Sequence, residues 1–341
     1  MTMQRSLKRE FSLVRIVLLV LPMLLALIIP NAFFRDIVIL LMLWSTAASA
    51  WNLLGGFAGQ LSIGHTAFFG IGAYTSTLLY INFSVSPWIG MFAGALLAAL
   101  IGVVLGSITF PLKGPFFSLS TLAFAEIVRI ISISWSDLTK GSRGIVIKYT
   151  PGFDKFIFDS PVAYILIAWV FMIAVYCVAV YFNNSRLGFY LMAYRESEDA
   201  ARALGINTVT VRLKAVAISA GLTAMLGTFY AQYILFIDPE SVFIVDNSLQ
   251  IVLLSLVGGI GTTIGPIIGG YIMVPLGQFL RSALGDAVPG FHLVIYGLCM
   301  LLIIMYLPGG LVSLLQRRSF GGSRLKRPGR RRDEHGAVGN S

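Results

Sequence analysis

The stretch WNLLGGFAGQLSIGHTAFFGIGAYTSTLL, from Trp51 to Leu79, joins the end of one apolar run to the start of another through a cluster of glycines. Gly55, Gly56, Gly59, Gly64, Gly70 and Gly72 lie at this junction, with Gln60, Ser62 and His65 among them. A hydrocarbon core of ~30 Å needs ~20 helical residues. The flanking runs, Ile37–Leu54 and Leu61–Ile81, each meet that length.

Working outward, the same test picks out Val14–Pro30, Trp88–Phe110, Phe116–Ser134, Val162–Phe182, Leu213–Phe236 and Phe291–Leu307. The stretch Ser248–Leu284 is too long for one span and is divided at GGIGTTIGP, Gly258–Pro266. The expectation is an all-α, polytopic transmembrane bundle of about ten spans. Composition agrees, with 57% hydrophobic and 12% charged residues in a chain of 341, against ~25% charged in soluble domains. Cys177 and Cys299 fall inside apolar runs and read as packing residues, not a disulfide framework. A secretory signal is the alternative for the first run, because Arg5, Lys8 and Arg9 precede it. Its apolar core exceeds the usual ~7–15 residues and no small-residue cleavage pattern follows, which favours a span.

Lys and Arg are retained on the cytoplasmic side of a membrane. With the N-terminus inside, ten spans return the C-terminus inside as well. Residues 1–13 are then a basic cytoplasmic N-terminus, 14–315 the membrane domain, and 316–341 a basic tail expected to be disordered. Eight basic residues between Arg317 and Arg332 account for much of the net charge of +10, so nucleic acid is not expected as a partner. Lys113 and the loop 183–212 fall inside. The loop Ile237–Asn247, with Asp238, Glu240 and Asp246, falls outside. The loop Trp135–Ser160 falls outside despite Lys140, Arg143, Lys148 and Lys155, a conflict softened by its length and by Asp137, Asp154 and Asp159.

The longest cytoplasmic loop carries YRESEDAARALGIN, Tyr194–Asn207. Wound as a helix, it sets Ala200, Ala203 and Leu204 on one side and Glu196, Asp199 and Arg202 on another, with Gly205 as the stop. So short a helix is marginal alone in water. It is either a connector lying on headgroups or a docking helix for a groove on a cytoplasmic partner.

DAARALG (Asp199–Gly205) resembles the EAA signature of ABC importer permeases, with Asp199 where Glu is usual. The resemblance implies a coupling helix in which Glu196, Asp199, Ala200, Ala201 and Gly205 serve contact with an ATPase subunit, the small alanines seating in its cleft. Trp51–Leu79, FFSLSTLAFAEIVRI (Phe116–Ile130), GSRGI (Gly141–Ile145) and SLVGGIGTTIGPIIGG (Ser255–Gly270) together resemble permeases that import branched-chain amino acids and related amides or urea. The likeness runs from about Phe33 to Leu315, with Arg143 where Asn is expected. It implies a multi-pass subunit of a bacterial plasma (inner) membrane importer. The implied partners are separate ABC ATPase subunits, a second, homologous permease subunit and an extracytoplasmic solute-binding protein docking on the outer loops.

The chain has no G-x-x-x-x-G-K-[ST] phosphate loop, so ATP hydrolysis is expected on another chain and this one is not expected to be an enzyme. His65, His292 and His335 are far apart, and neither metal nor cofactor is expected. Gly258, Gly259, Gly261 and Gly265 repeat the pattern of Gly55, Gly56, Gly59 and Gly64 at a second cytoplasmic junction. Close packing is one reading of these glycines; a gate hinge in alternating access is the other. Glu126 and Arg129 share a helix face within a span. They either pair and pin helices or line the solute route. Gln60 and His65 stand between a pathway role and simple helix-end hydrogen bonding, and Gln232 and Gln250 are weaker candidates of the same kind. A membrane enzyme would need clustered nucleophiles or metal ligands, and an ion-coupled carrier several buried carboxylates. The sequence offers neither.

Overall fold

The computed structural model describes residues 13–29, 31–112, 114–284, 290–307 and 309–313. The basic N-terminal residues 1–12, Lys113 and the tail 316–341 lie outside the described residues. Each of the ten apolar runs is a helix: α1 (Leu13–Ile28), α2 (Ala32–Gly55), α3 (His65–Phe83), α4 (Pro87–Thr109), α5 (Pro115–Ser134), α7 (Pro161–Asn184), α10 (Thr208–Ile234), α12 (Val245–Gly258), α13 (Gly265–Leu284) and α14 (Phe291–Tyr306). Short helices α6 (Ser136–Thr139), α8 (Arg186–Glu196), α9 (Glu198–Ala203) and α11 (Pro239–Val242) lie between them. Among the described residues, seven helices are long and apolar enough to cross a membrane, α11 and α12 counting as one, and α1 and α14 are shorter apolar helices. The architecture is all-α and polytopic. The second and seventh runs begin five residues earlier than expected, at Ala32 and Thr208. The third begins later, at His65 and not Leu61, because Gly59 takes a left-handed turn (φ +67°) and the chain stays non-helical up to Gly64.

α2 is the axis of the bundle, buried from Leu41 to Gly55. α3, α4 and α10 pack together on one side, while α7, α12 and α13 pack on α2 from the other. The contact of α3 with α10 is so close that a Cβ on Gly72 would strike the Ala224 carbonyl, and one on Gly227 the Phe69 carbonyl. Thr228 Oγ1 donates to the Gly72 carbonyl at 3.0 Å across the same seam. α4 presents Gly90, Gly94, Ala98, Gly102 and Gly106, one every four residues, as a buried ridge. Its opposite side shows Ile89, Phe92, Leu96, Leu100, Val104 and Ile108. Small residues on one face and bulky apolar ones on the other are the division expected of a helix between protein and lipid.

Pro22 sits inside α1 and offers no N–H to the carbonyl one turn back. Tyr271 Oη donates to the Leu18 carbonyl at 2.7 Å, and Trp169 Nε1 to the Leu19 carbonyl at 3.0 Å. Neighbouring helices thus satisfy the freed backbone, the condition for a proline within an apolar span. Cys299 is half-buried, but Cys177 is exposed on α7 and is not the packing residue expected.

The loops 135–160 and 237–247 converge. Strands β1 (Ile145–Val146) and β2 (Phe236–Ile237) pair antiparallel, Ile145 opposite Ile237. The GSRGI motif is the turn into β1: Gly144 has φ +69°, and a Cβ there would meet the Ile237 carbonyl at 2.7 Å.

Candidate functional site

Between α2 and α3 the backbone is unwound and partly buried, a state tolerated at membrane depth only where protein or a cavity satisfies it. Protein does so here. Trp51 Nε1 donates to the Ser62 carbonyl at 2.7 Å, Ser118 Oγ to the Leu61 carbonyl at 2.6 Å, and the Ile63 amide to Thr121 Oγ1 at 3.1 Å. At the end of the stretch a Cβ on Gly64 would collide with the Thr121 carbonyl, so α5 seats on bare backbone.

His65 opens α3 fully buried, with Nδ1 3.0 Å from Ser62 Oγ and Nε2 2.8 Å from Ser219 Oγ. Ser219 Oγ donates its own proton to the Ala50 carbonyl at 2.7 Å. It therefore accepts from Nε2–H, and Nδ1 is left to accept from Ser62. His65 is thus a neutral helix-end clasp joining α2, α3 and α10. One residue on, the Thr66 amide donates to Ser248 Oγ (2.8 Å) and Thr66 Oγ1 to the Val242 carbonyl (2.9 Å), so the segment around α11 reaches down to this level.

The two glycine junctions, far apart in sequence, touch. Asn52 Nδ2 donates to the Thr262 carbonyl at 2.9 Å, and the Gly261 amide returns a bond to Asn52 Oδ1 at 2.9 Å. A Cβ on Gly258 would overlap the Gly265 backbone, one on Gly265 the Gly259 carbonyl, and one on Gly55 the Trp51 ring. A Cβ on Gly56 would meet the Asn52 side chain. Close packing accounts for these positions, whereas Gly59, Gly259 and Gly261 have positive φ.

The first junction is bonded to the loop 183–212, and the second lies against it at Gly261. Arg195, in the last turn of α8, donates to the Gly56 carbonyl at 2.8 Å beside Gly261. Tyr194 Oη receives Gln60 Nε2 at 2.7 Å and Arg212 Nη1 at 2.9 Å. Burial pushes the Tyr194 phenol above its ordinary pKa, and the nearby Arg212 charge opposes that. Arg212 is itself buried, its guanidinium lying over the rings of Phe110 (4.7 Å) and Tyr194 (4.5 Å). It also donates to the Phe110 and Thr208 carbonyls and stands 3.6 Å from Glu198. Delocalised, weakly hydrated guanidinium suits a stacked, buried position that ammonium would not. Gln60 is therefore committed to α8 through its amide nitrogen, while its Oε1 is buried without a partner.

α9 begins at Ser197, whose hydroxyl accepts from the Ala200 amide, and ends in a Schellman turn: Gly205 (φ +80°) donates to the Arg202 carbonyl and Ile206 to the Ala201 carbonyl. Glu196, Asp199, Ala200, Ala203 and Leu204 are exposed, Leu204 at 79%. Ala201 is not: it is 1% exposed and turned into the chain, which corrects its expected place on a docking face. The helix is anchored through that buried side and presents the other.

Glu126 and Arg129 form a two-pronged pair, with Arg129 Nη2 2.5 Å from Glu126 and Nη1 4.0 Å from Glu240. Both belong to α5, so their mutual bond pins no two helices together; only the longer contact to Glu240 crosses between elements. Arg129 is 26% and Glu126 38% exposed, so this is a half-open pair on the side of the bundle. Gln232 is wholly buried with neither amide atom bonded. Among the described residues no group of His, Cys, Asp or Glu could hold a metal. Sequence reasoning missed Asn52, Tyr194, Arg195 and Arg212 as connectors. Arg212 carried a faint signal, being a cation at the boundary of loop and span.

A bundle of apolar helices, glycine-jointed at its core and clasped to a short exposed helix, is the architecture of a polytopic membrane protein. The chain belongs to the family described as branched-chain amino acid transport system / permease component, which it matches over residues 33–304. It is 27% identical to the high-affinity branched-chain amino acid transport system permease protein LivM of Escherichia coli K12, over 82% of this chain and 70% of that one. It is likewise 27% identical to a probable branched-chain amino acid transport permease protein LivM of Methanocaldococcus jannaschii, over 76% and 81%. The autoinducer 2 import system permease protein LsrC of Yersinia pseudotuberculosis YPIII is 24% identical over 59% and 58%. No solved structure matches the chain.

Proposed function

We propose that this chain is the transmembrane permease subunit of an ATP-driven ABC importer for branched-chain or related amino acids. It spans a bacterial plasma membrane ten times with both termini in the cytoplasm. A second, homologous permease completes the pathway, an external binding protein delivers solute to the joined outer loops, and a separate ATPase docks on α9. The observation that carries the reading is the bonding of α8 to the first glycine junction through Tyr194 and Arg195, and of that junction to the second through Asn52. A push on the exposed face of α9 is transmitted to backbone that can bend. In this reading Gly59, Gly259 and Gly261 act as the joints of the gate. Glu126 and Arg129 face the solute route or the second permease, because a half-open ion pair is costly against lipid.

The test is reconstitution of the chain with its neighbouring ATPase, permease and binding-protein subunits in proteoliposomes. Leucine, isoleucine or valine should stimulate ATP hydrolysis and accumulate inside. Accumulation driven by a proton or sodium gradient without ATP would replace this reading with an ion-coupled carrier, and stimulation by urea or short amides alone would move the substrate class.

A further inference from the structure

α12, α13 and α14 enclose a cavity of about 430 Å³, within the ~300–1,000 Å³ typical of small-molecule sites. Six polar side chains line it: Asp246, Gln250, Gln278, Arg281, His292 and Tyr296. None of them makes a hydrogen bond or ion pair among the described residues, and His292 Nδ1 is buried with no partner. By contrast, Asn52, His65 and Arg212 each find protein partners in the clusters described above. Asp246 and Arg281 are exposed at helix ends, whereas Gln250, Gln278 and His292 are half-buried, where polar side chains normally find a protein, water or ligand partner. Asp246 in the first turn of α12 and Arg281 in the last turn of α13 also complement those helix dipoles. Dipoles do not explain two unpaired glutamines and an orphaned imidazole nitrogen in the same cavity. The rest of the wall is apolar, with Leu249, Leu253, Val274 and Leu293.

We propose that this cavity is a binding site for an α-amino acid zwitterion with an aliphatic side chain. Arg281 meets the carboxylate, whose two oxygens match a guanidinium fork, and Asp246 meets the ammonium group. Gln250, Gln278 and His292 complete the polar end, and the leucines take the aliphatic chain. The proposal rests on the amino-acid importer reading and extends it by giving the permease a solute site of its own, beyond what a binding protein hands over. A zwitterionic phospholipid headgroup shares the charge pattern but brings acyl chains too long for the cavity, and the test separates the two.

The full-length permease, in phosphatidylcholine nanodiscs without any binding protein, is titrated with radiolabelled leucine. Saturable binding is expected, weakened at least tenfold by Arg281→Gln and by Asp246→Asn. 3-Methylbutylamine and 4-methylpentanoate, each lacking one charge, should compete at least tenfold less well than isoleucine. Gln278→Leu, which makes the wall more apolar and keeps the fold, should weaken binding as well and covers the case in which the charge variants misfold. Leucine binding that is absent, or unchanged in Arg281→Gln and Gln278→Leu, overturns the site. So does native mass spectrometry in which a phosphatidylethanolamine, lost on Arg281→Gln, excludes leucine. ATP-driven leucine uptake by the intact transporter is measured in parallel. Uptake together with failed binding sinks only this site, whereas no uptake of any aliphatic amino acid sinks the importer reading and the site with it.

Discussion

Asn52 and Gly261, 209 positions apart, share a bond at 2.9 Å that closes one glycine junction onto the other. Because the same side chain donates to the Thr262 carbonyl, Asn52 grips the turn before α13 from α2 with both ends of its amide. Asn52→Leu leaves the half-buried Gly261 amide and Thr262 carbonyl without these partners, at up to ~1–3 kcal/mol each. A drop of several degrees in melting temperature of the detergent-purified protein is expected. An unchanged melting curve would show that water replaces the side chain there.

Arg212→Lys tests the hub beneath α8 and α9. Lysine keeps the charge near Glu198 but loses the stacking between Phe110 and Tyr194 and most of the directed bonds. Basal ATP hydrolysis of the complex should persist while its stimulation by solute falls severalfold. Equal stimulation in the variant would mean that charge alone matters.

Two substitutions in α9 should separate anchoring from docking. Leu204→Asp changes an exposed side chain and should alter stability by no more than ~0.5 kcal/mol, yet reduce the ATPase recovered with the permease. Ala201→Trp overfills a buried position at a cost of ~1–3 kcal/mol and should lower abundance itself. If Leu204→Asp leaves ATPase recovery intact, the exposed face is not the docking face.

Glu126→Gln removes a half-open i,i+3 pair worth ~0.2–0.5 kcal/mol, so membrane abundance should stay near normal. Transport is where the loss should appear. A fall in abundance matching the fall in transport would assign the pair to folding alone.

Topology is checked by thiol labelling in a Cys177→Ser background, needed because Cys177 is exposed. A cysteine at Ser197 should react from the cytoplasm and one at Glu240 from outside. Ser241, whose hydroxyl closes the capping box of α11, is the poorer probe.

The helices were legible because lipid imposes a crude rule: ~20 apolar residues or none. Gly205 was legible for a similar reason, since a left-handed helix stop has few tenants. Ala201 and Ala200 could not be told apart, because which side of a one-turn helix faces inward depends on α8 and α10. The partners of Asn52 and Arg195 were hidden by distance along the chain: hydrogen bonds leave no periodicity to read. The ridge Gly90–Gly94–Ala98–Gly102–Gly106 was readable as a four-residue repeat of small side chains and passed unnoticed among the apolar residues around it. The cavity beside Arg281 was beyond reach, for a void is defined by what three separate helices leave unfilled.

That ridge on α4 has a consequence for how the chain is made. Its main partner, α10, begins at Thr208, about 100 residues after α4 ends at Thr109. At ordinary synthesis rates that interval is roughly 5–20 s. Throughout it Gly90 and Gly94 are already covered by Ser76 and Gly72 of α3, while the groove at Gly102 and Gly106 lacks the Ala220 and Leu213 side chains that close over it. Translation speed between residues 109 and 208, and any insertion factor able to shelter that groove, therefore govern how much of the product matures.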